Sequence, residues 1–329
     1  MSSHYFRFIH RSTVDRRRSP LLERLVARAD APVAVTDWRA DAFRVIAAPT
    51  TRVPGVAAAA LYAERGRVDA ASVFLATPVH YMAETSNVRL PADGILSLRR
   101  SEALALAGDF NRVWHDSGVR LLTGEGTPQA PAGGGPRMGP THLFCVFDRS
   151  IDAATRDPEE VRDRHLAEYL PTGAAAPRLR RLMSEIEMWL FEHAVNRARI
   201  GNALPAVSSL WLWGGGPALS AAPRMNGWAA GDDVFFNALA WRNELPRGPG
   251  GNAVARTGAA SGVVIVAEQP GTSEWRELES HLLRRSLADL RSGRIARLAL
   301  SAGQRCFMLS AGWQWRLWRR RRPWWESFA

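Results

Sequence analysis

The chain of 329 residues contains no lysine; all 43 of its basic Lys/Arg positions are arginine. That bias fits a GC-rich coding sequence and carries no functional reading. Only two cysteines are present, Cys145 and Cys306, far apart and in apolar runs. Two thiols cannot build a disulfide framework, and the absence of a CxxC pair removes the usual zinc ligand spacing. They are expected to be buried, reduced thiols, which points to a cytoplasmic setting. No apolar run approaches the roughly 20 residues that a membrane helix needs. No apolar segment follows Arg16–Arg18, so no secretory signal is legible. A GxSxG elbow, a P-loop and a GxGxxG fingerprint are also missing, which leaves no local signature for a serine hydrolase or a nucleotide-binding loop.

What the chain does have is apolar material and an uneven charge. Hydrophobic residues make up 46% of it, enough to bury a core, in one large domain or two smaller ones. The net charge is +11. From Arg284 onward there are 11 arginines against Asp289 and Glu326, a balance of +9, so the rest of the chain carries only +2.

The pattern of elements predicts a mixed α/β fold, a mixed sheet with helices on its faces. Residues 1–122 read as a first lobe. It has a helix opening at Ser19-Pro20, a buried strand within 70–80, a helix over 101–115 with Leu104, Ala107, Phe110, Val113 and Trp114 on one side, and a strand after Gly118. The Gly/Pro-rich stretch 123–140 reads as a linker or as a long hairpin tip, since strand-like runs flank it. Residues 141–329 form a second lobe with a basic, tryptophan-rich tail. Within it the spacing predicts one long helix over 178–200 and a strand over 206–213 running into Gly214, Gly215 and Gly216. Next come a second glycine-rich loop (247–262), a strand and a helix capped at Thr272 or Ser273 that bears Trp275, Leu278, Leu282 and Leu287; three short strands then close the chain.

The helix–strand–glycine unit is the first candidate site. On a helical wheel Ile186, Leu190, His193 and Arg197 share one stripe, and Glu185, Trp189, Glu192, Asn196 and Arg199 a neighbouring one. His193, Asn196 and Arg197 with the amides of Gly214–Gly216 would make a polar pocket for a small anionic ligand. The competing reading is structural: cations suit a helix C-terminus, a core histidine can be satisfied in place, and glycines make tight turns.

The segments EMWLFEHAVNRAR (187–199) and LPAVSSLWLWGGG (204–216), with FLATPVHY at 74–81, resemble a group of proteobacterial proteins known as cofactor-independent phosphoglycerate mutases or RpfE-type regulatory proteins. This chain has Ala194 where that family has proline. The resemblance implies an alkaline-phosphatase-like α/β fold, here in a reduced form. It also implies two divalent metals and a serine or threonine nucleophile. Several Asp and His ligands would have to converge for that chemistry. The N-terminus carries no Asp-Gly element, no Asp-His pair occurs, and His115-Asp116 and Asp232-Asp233 are isolated. The expectation is therefore a mutase-like or RpfE-type protein without mutase activity and without a resident metal. Metal-dependent phosphoryl transfer is the alternative.

Three further features stand out. His80 falls at a strand end, where α/β folds keep ligands. Glu185, Glu187 and Glu192 read as a solvated helix face. In the tail WQWRLWRRRRPWW, Trp313 and Trp315 alternate as on a strand, and Arg319, Arg320, Arg321 and Arg322 follow. The expectation is an edge strand with Trp313 and Trp315 on the core. The arginines would form a salt-sensitive patch for polyanions, nucleic acid or an anionic surface.

Overall fold

The structure is a computed structural model that describes residues 3–9, 19–48, 51–85, 87–125, 128–129, 137–138, 141–231, 233–244, 262–268, 279–316, 318 and 320–328. It is mixed α/β, with several sheets flanked by helices. The chain divides into two compact units, one from Met1–Val53 and Pro223–Ala329, the other from Pro54–Gln129 and Pro136–Ala222. One unit is nested within the sequence of the other.

In the outer unit, the strand Ser3–Ile9 is paired in parallel on both sides, with Gly262–Glu268 and with Arg297–Ala302. Trp228–Ala230 extends the sheet in parallel, and Arg305–Leu309 and Val33–Ala34 extend it antiparallel at the other edge. Alternation along the first strand sorts its two faces. Phe6 and Phe8 join a core with Leu22 and Leu25 of the helix Pro20–Arg28, Leu287 and Leu290 of the helix Arg284–Arg291, and Trp313 and Trp324. Tyr5 and Arg7 face the other way, where Arg7 donates to Ser301 Oγ at 3.0 Å and lies 5.0 Å from the Trp38 ring. The helices Trp38–Ile46 and Val234–Arg242 meet there through Phe43 and Phe235, with ring centroids 5.8 Å apart. Ser19 caps the first helix, its side chain accepting the Leu22 N–H, with Pro20 at the first helical position as the sequence indicated.

The inner unit is built on an antiparallel sheet in the order Ser209–Gly216, Ser72–Val79, Leu143–Phe147, Val119–Thr123. All five residues of Leu143–Phe147 are buried, so both faces of that strand are covered. Cys145 and Cys306 are free and buried as expected.

Three sequence expectations need correction. The helix expected over 178–200 is two helices, Ala176–Phe191 and Ala194–Gly201. The break is at His193, whose backbone is extended and whose ring caps the second helix. The helix Arg100–Val113 buries Ala103, Leu106, Ala107 and Phe110 but leaves Leu104 and Val113 exposed. Finally, among the described residues the tail forms no third strand over 313–316. Gly312 takes a left-handed conformation (φ 84°), and Trp313–Trp315 is a single 3₁₀ turn. That turn sends Trp313 inward and leaves Trp315 out. The glycine-rich loop 247–262 and the cap and first turn at 272–278 fall almost entirely outside the described residues.

Candidate functional site

The end of the strand Ser72–Val79 and the start of Ser209–Gly216 bring several of the predicted polar residues together. His80 is half-buried, and its Nδ1 lies 2.9 Å from the Ala206 carbonyl oxygen. A carbonyl can only accept, so Nδ1 is the donor in this contact. The Tyr81 N–H donates to Ser208 Oγ at 2.9 Å. Ser209 is fully buried near Tyr81 and Glu187, and its hydroxyl has no hydrogen-bond partner among the described residues. Burial is the main cause that raises the pKa of each, with the Glu187 charge adding to Tyr81. Glu187 is therefore not part of a solvated face; it turns in from the helix Ala176–Phe191 to the strand.

Asn196 is also at this strand end, and its side chain bonds backbone groups. Its Nδ2 donates to the carbonyls of Leu190 (2.7 Å) and Val207 (2.9 Å), and its Oδ1 accepts the Val207 N–H at 2.8 Å. One side chain thereby ties the broken helix to the segment entering the strand. No periodicity rule finds such a role, because the partners are backbone groups of another element.

His193 is satisfied on both nitrogens. Nδ1 accepts the Val195 N–H at 3.1 Å, so the neutral ring carries its proton on Nε2, which lies 3.1 Å from Asp109 Oδ2. The ring also meets Trp189 edge-on at 4.6 Å, and Trp189 meets Phe110 and Trp114 in the same way. Arg197 is exposed and donates to the Glu192 carbonyl at the same helix break. The stripe from Ile186 and Leu190 does not continue through His193 and Arg197, because the helix is broken between Leu190 and His193; His193 is buried and Arg197 exposed.

Gly214–Gly216 are at the other end of their strand. Seven residue steps from Ser209 to Gly216 span roughly 20 Å at strand geometry. The structure therefore does not bring these glycines to His80, His193, Asn196 or Arg197. Their smallness has a local cause. A Cβ on Gly215 would stand 2.2 Å from the ring of Phe74, which is wholly buried, and one on Gly216 would stand 3.0 Å from the Cα of Gly55. Gly214 is left-handed (φ 66°) and faces Val56. The glycines let the strand end lie against the start of the helix Val56–Arg65.

Several carboxylates and histidines of the described residues are used in pairs. Glu64, with a side chain 1% exposed, holds His142 at 2.5 Å. Glu102 accepts from Arg199 at 3.0 Å and from the Arg99 N–H at 2.7 Å. Asp233 takes Arg39 at 2.8 Å with one oxygen and caps its helix with the other, accepting from Phe235 and Phe236. Asp109 serves His193 and Arg112. Among the described residues no group of three or more His, Cys, Asp or Glu side chains is placed to share an ion. These residues do not fit the metal pair that the resemblance implies. The carboxyl ends of the parallel strands Ser3–Ile9 and Gly262–Glu268 lead into 10–18 and 269–278, outside the described residues.

In the tail, Trp313 is 2% exposed and Trp324 1%, whereas Trp315 is 72% and Trp318 76% exposed. Arg320, Arg321 and Arg322 are exposed, and Arg319 lies outside the described residues. Among the described residues no helix is long and apolar enough to cross a membrane.

No protein-family model matches the chain. One stretch is similar to 2,3-bisphosphoglycerate-independent phosphoglycerate mutase of Methanothrix thermoacetophila, 36% identical over 69 residues, which is 21% of this chain and 18% of that protein. A probable mutase of the same name from Geobacter sulfurreducens is 31% identical over 90 residues, 27% of this chain and 22% of that one. The match thus spans about a fifth of the length of these curated relatives. Among solved structures, the cofactor-independent phosphoglycerate mutase from Thermoplasma acidophilum aligns over 95% of this chain and 90% of its own at 14% identity, with a TM-score of 0.37. A protein of Pyrococcus horikoshii aligns over 94% of this chain and 87% of its own at 11% identity, with a TM-score of 0.41. The chain is thus similar, weakly and in part, to cofactor-independent phosphoglycerate mutases.

Proposed function

We propose that this chain is a mutase-like protein of the RpfE regulatory type that does not turn over phosphoglycerate and acts by binding. The observation that carries this reading is the commitment of its carboxylates. Glu64, Glu102, Asp109 and Asp233 each hold a cation or histidine, and Glu102 and Asp233 also cap helices. Each of these carboxylates would have to share or give up its present partner to ligate a metal, which disfavours metal binding at these positions. The partial similarity to the two named mutases supports descent from a common fold and favours the competing reading, metal-dependent phosphoryl transfer. An assay of the purified full chain with 3-phosphoglycerate and added manganese separates the two. The proposal expects no turnover above a protein-free control. Robust manganese-dependent turnover would replace it with the enzymatic reading.

A further inference from the structure

Folding of the outer unit gathers arginines from three separate segments. Arg24 and Arg28 stand one turn apart on the helix Pro20–Arg28, and Arg284 and Arg291 two turns apart on the helix Arg284–Arg291. The tail adds Arg320, Arg321 and Arg322, all exposed. The tail is anchored beside them. Trp313 and Trp324 are in the core, Arg28 donates to the Gln314 carbonyl at 3.4 Å, and Arg316 donates to the Arg28 carbonyl at 3.2 Å. Arg291 lies 5.5 Å over the Trp313 ring.

The cluster has little counter-charge. Asp30 is taken by Arg316 at 2.6 Å. Among the described residues, no carboxylate pairs with Arg24, Arg284, Arg291, Arg320, Arg321 or Arg322. Arg24 Nε is buried with no hydrogen-bond partner among them. Burial lowers the pKa of Arg24, and the neighbouring guanidiniums of Arg28, Arg321, Arg291 and Arg284 lower it further, so each of the four is near enough to act on Arg24. A fold that holds like charges together destabilises itself and raises the local concentration of anions.

Beside this charge stand the indoles of Trp315 and Trp318, 72% and 76% exposed. We propose that this surface binds single-stranded nucleic acid, the arginines taking phosphates and Trp315 and Trp318 stacking on bases. A membrane surface fits less well, because insertion strengthens with the apolar area buried. Among the described residues of this unit, the only other exposed large apolar side chain is Val33. The inference does not depend on whether the chain is an enzyme.

The test uses the full chain and a fluorescently labelled oligothymidine, followed by anisotropy across a salt series. The expected logarithmic slope is about 0.7 per phosphate contact. Trp315→Ala with Trp318→Ala should weaken oligonucleotide binding about tenfold or more at fixed salt, yet leave heparin binding unchanged, because heparin offers no bases. The Phe pair at the same positions should recover part of the loss. Arg321→Ser with Arg322→Ser should reduce the salt slope by about 1.4, two contacts' worth. All four side chains are exposed, and an unchanged melting temperature confirms that the variants fold. Three outcomes would overturn the proposal: no salt-dependent binding of the oligonucleotide, an unaltered affinity in the alanine pair, or capture by phosphatidylserine vesicles without binding of the oligonucleotide.

Discussion

Asn196 and Val207 exchange two hydrogen bonds: the Asn196 amide donates to the Val207 carbonyl at 2.9 Å and accepts the Val207 N–H at 2.8 Å. A side chain here completes a backbone ladder, and a third bond, to the Leu190 carbonyl, ties in the end of the preceding helix. Asn196→Ala would strand buried backbone groups and should cost about 2–4 kcal/mol. Asn196→Asp should also destabilise, since a carboxylate cannot donate to two carbonyls. Chemical denaturation checks both, and a loss under about 0.5 kcal/mol in either would contradict the structural role.

Gly215 gives a second test of structure against ligand binding. A methyl group there meets the buried Phe74 ring at 2.2 Å. Gly215→Ala should therefore lower stability by about 1–3 kcal/mol, the usual cost of overpacking. If the glycine served only a ligand, the variant would melt like the parent.

His4 makes stability depend on pH. Its ring is buried, with Nδ1 2.7 Å from Ser286 Oγ, and its pKa is lowered to about 4, by burial first, against the partly offsetting charge of Asp289. Between that value and the ordinary 6.5 the unfolded chain binds the proton and the folded chain does not. The His4 contribution is thus complete above about pH 6.5 and lost as pH falls towards 4, to a total of about 3 kcal/mol. Denaturation midpoints across this range should fall with pH, and His4→Gln should flatten that part of the fall. Equal pH dependence in the variant would remove His4 as the cause.

The tail tryptophans divide into two kinds. Trp313→Ala should cost about 3–5 kcal/mol, as for other large core side chains. Trp315→Ala should shift stability by no more than about 0.5 kcal/mol. Thermal melts of the two variants side by side decide this. Truncation at Ser310 should destabilise the outer unit, because it removes Trp313 and Trp324 together.

These contrasts show which parts of the molecule are written locally. The strand around Phe74 and the cap at Ser19-Pro20 were legible, because apolar runs and capping residues act on their neighbours. The helix break at His193 was not, since His193 and Arg197 extend the Leu190 stripe and neither glycine nor proline interrupts 178–200. The one hint was Ala194, where the resembling family has proline. It is the first residue of the second helix, a position that suits proline. The Ala-rich helix Val56–Arg65 gave no periodic signal, because alanine marks neither face. The alternation of Trp313 and Trp315 imitated a strand, and only the left-handed Gly312 distinguishes the turn. The parallel pairing of Ser3–Ile9 with segments over 250 residues away has no local signature at all. At the candidate site, residue types were readable, but their partners were not. His193 and Asp109 are 84 positions apart in sequence, and Glu64 and His142 are 78 apart.

The most direct test of the central claim is titration of the metal-free full chain with manganese in a calorimeter. The paired carboxylates predict no stoichiometric binding, only weak heat that vanishes with added salt. Saturable binding of one or two ions per chain, surviving that salt and lost on substitution of Asp15, Glu274 or Glu277, would contradict the account and restore metal-dependent phosphoryl transfer.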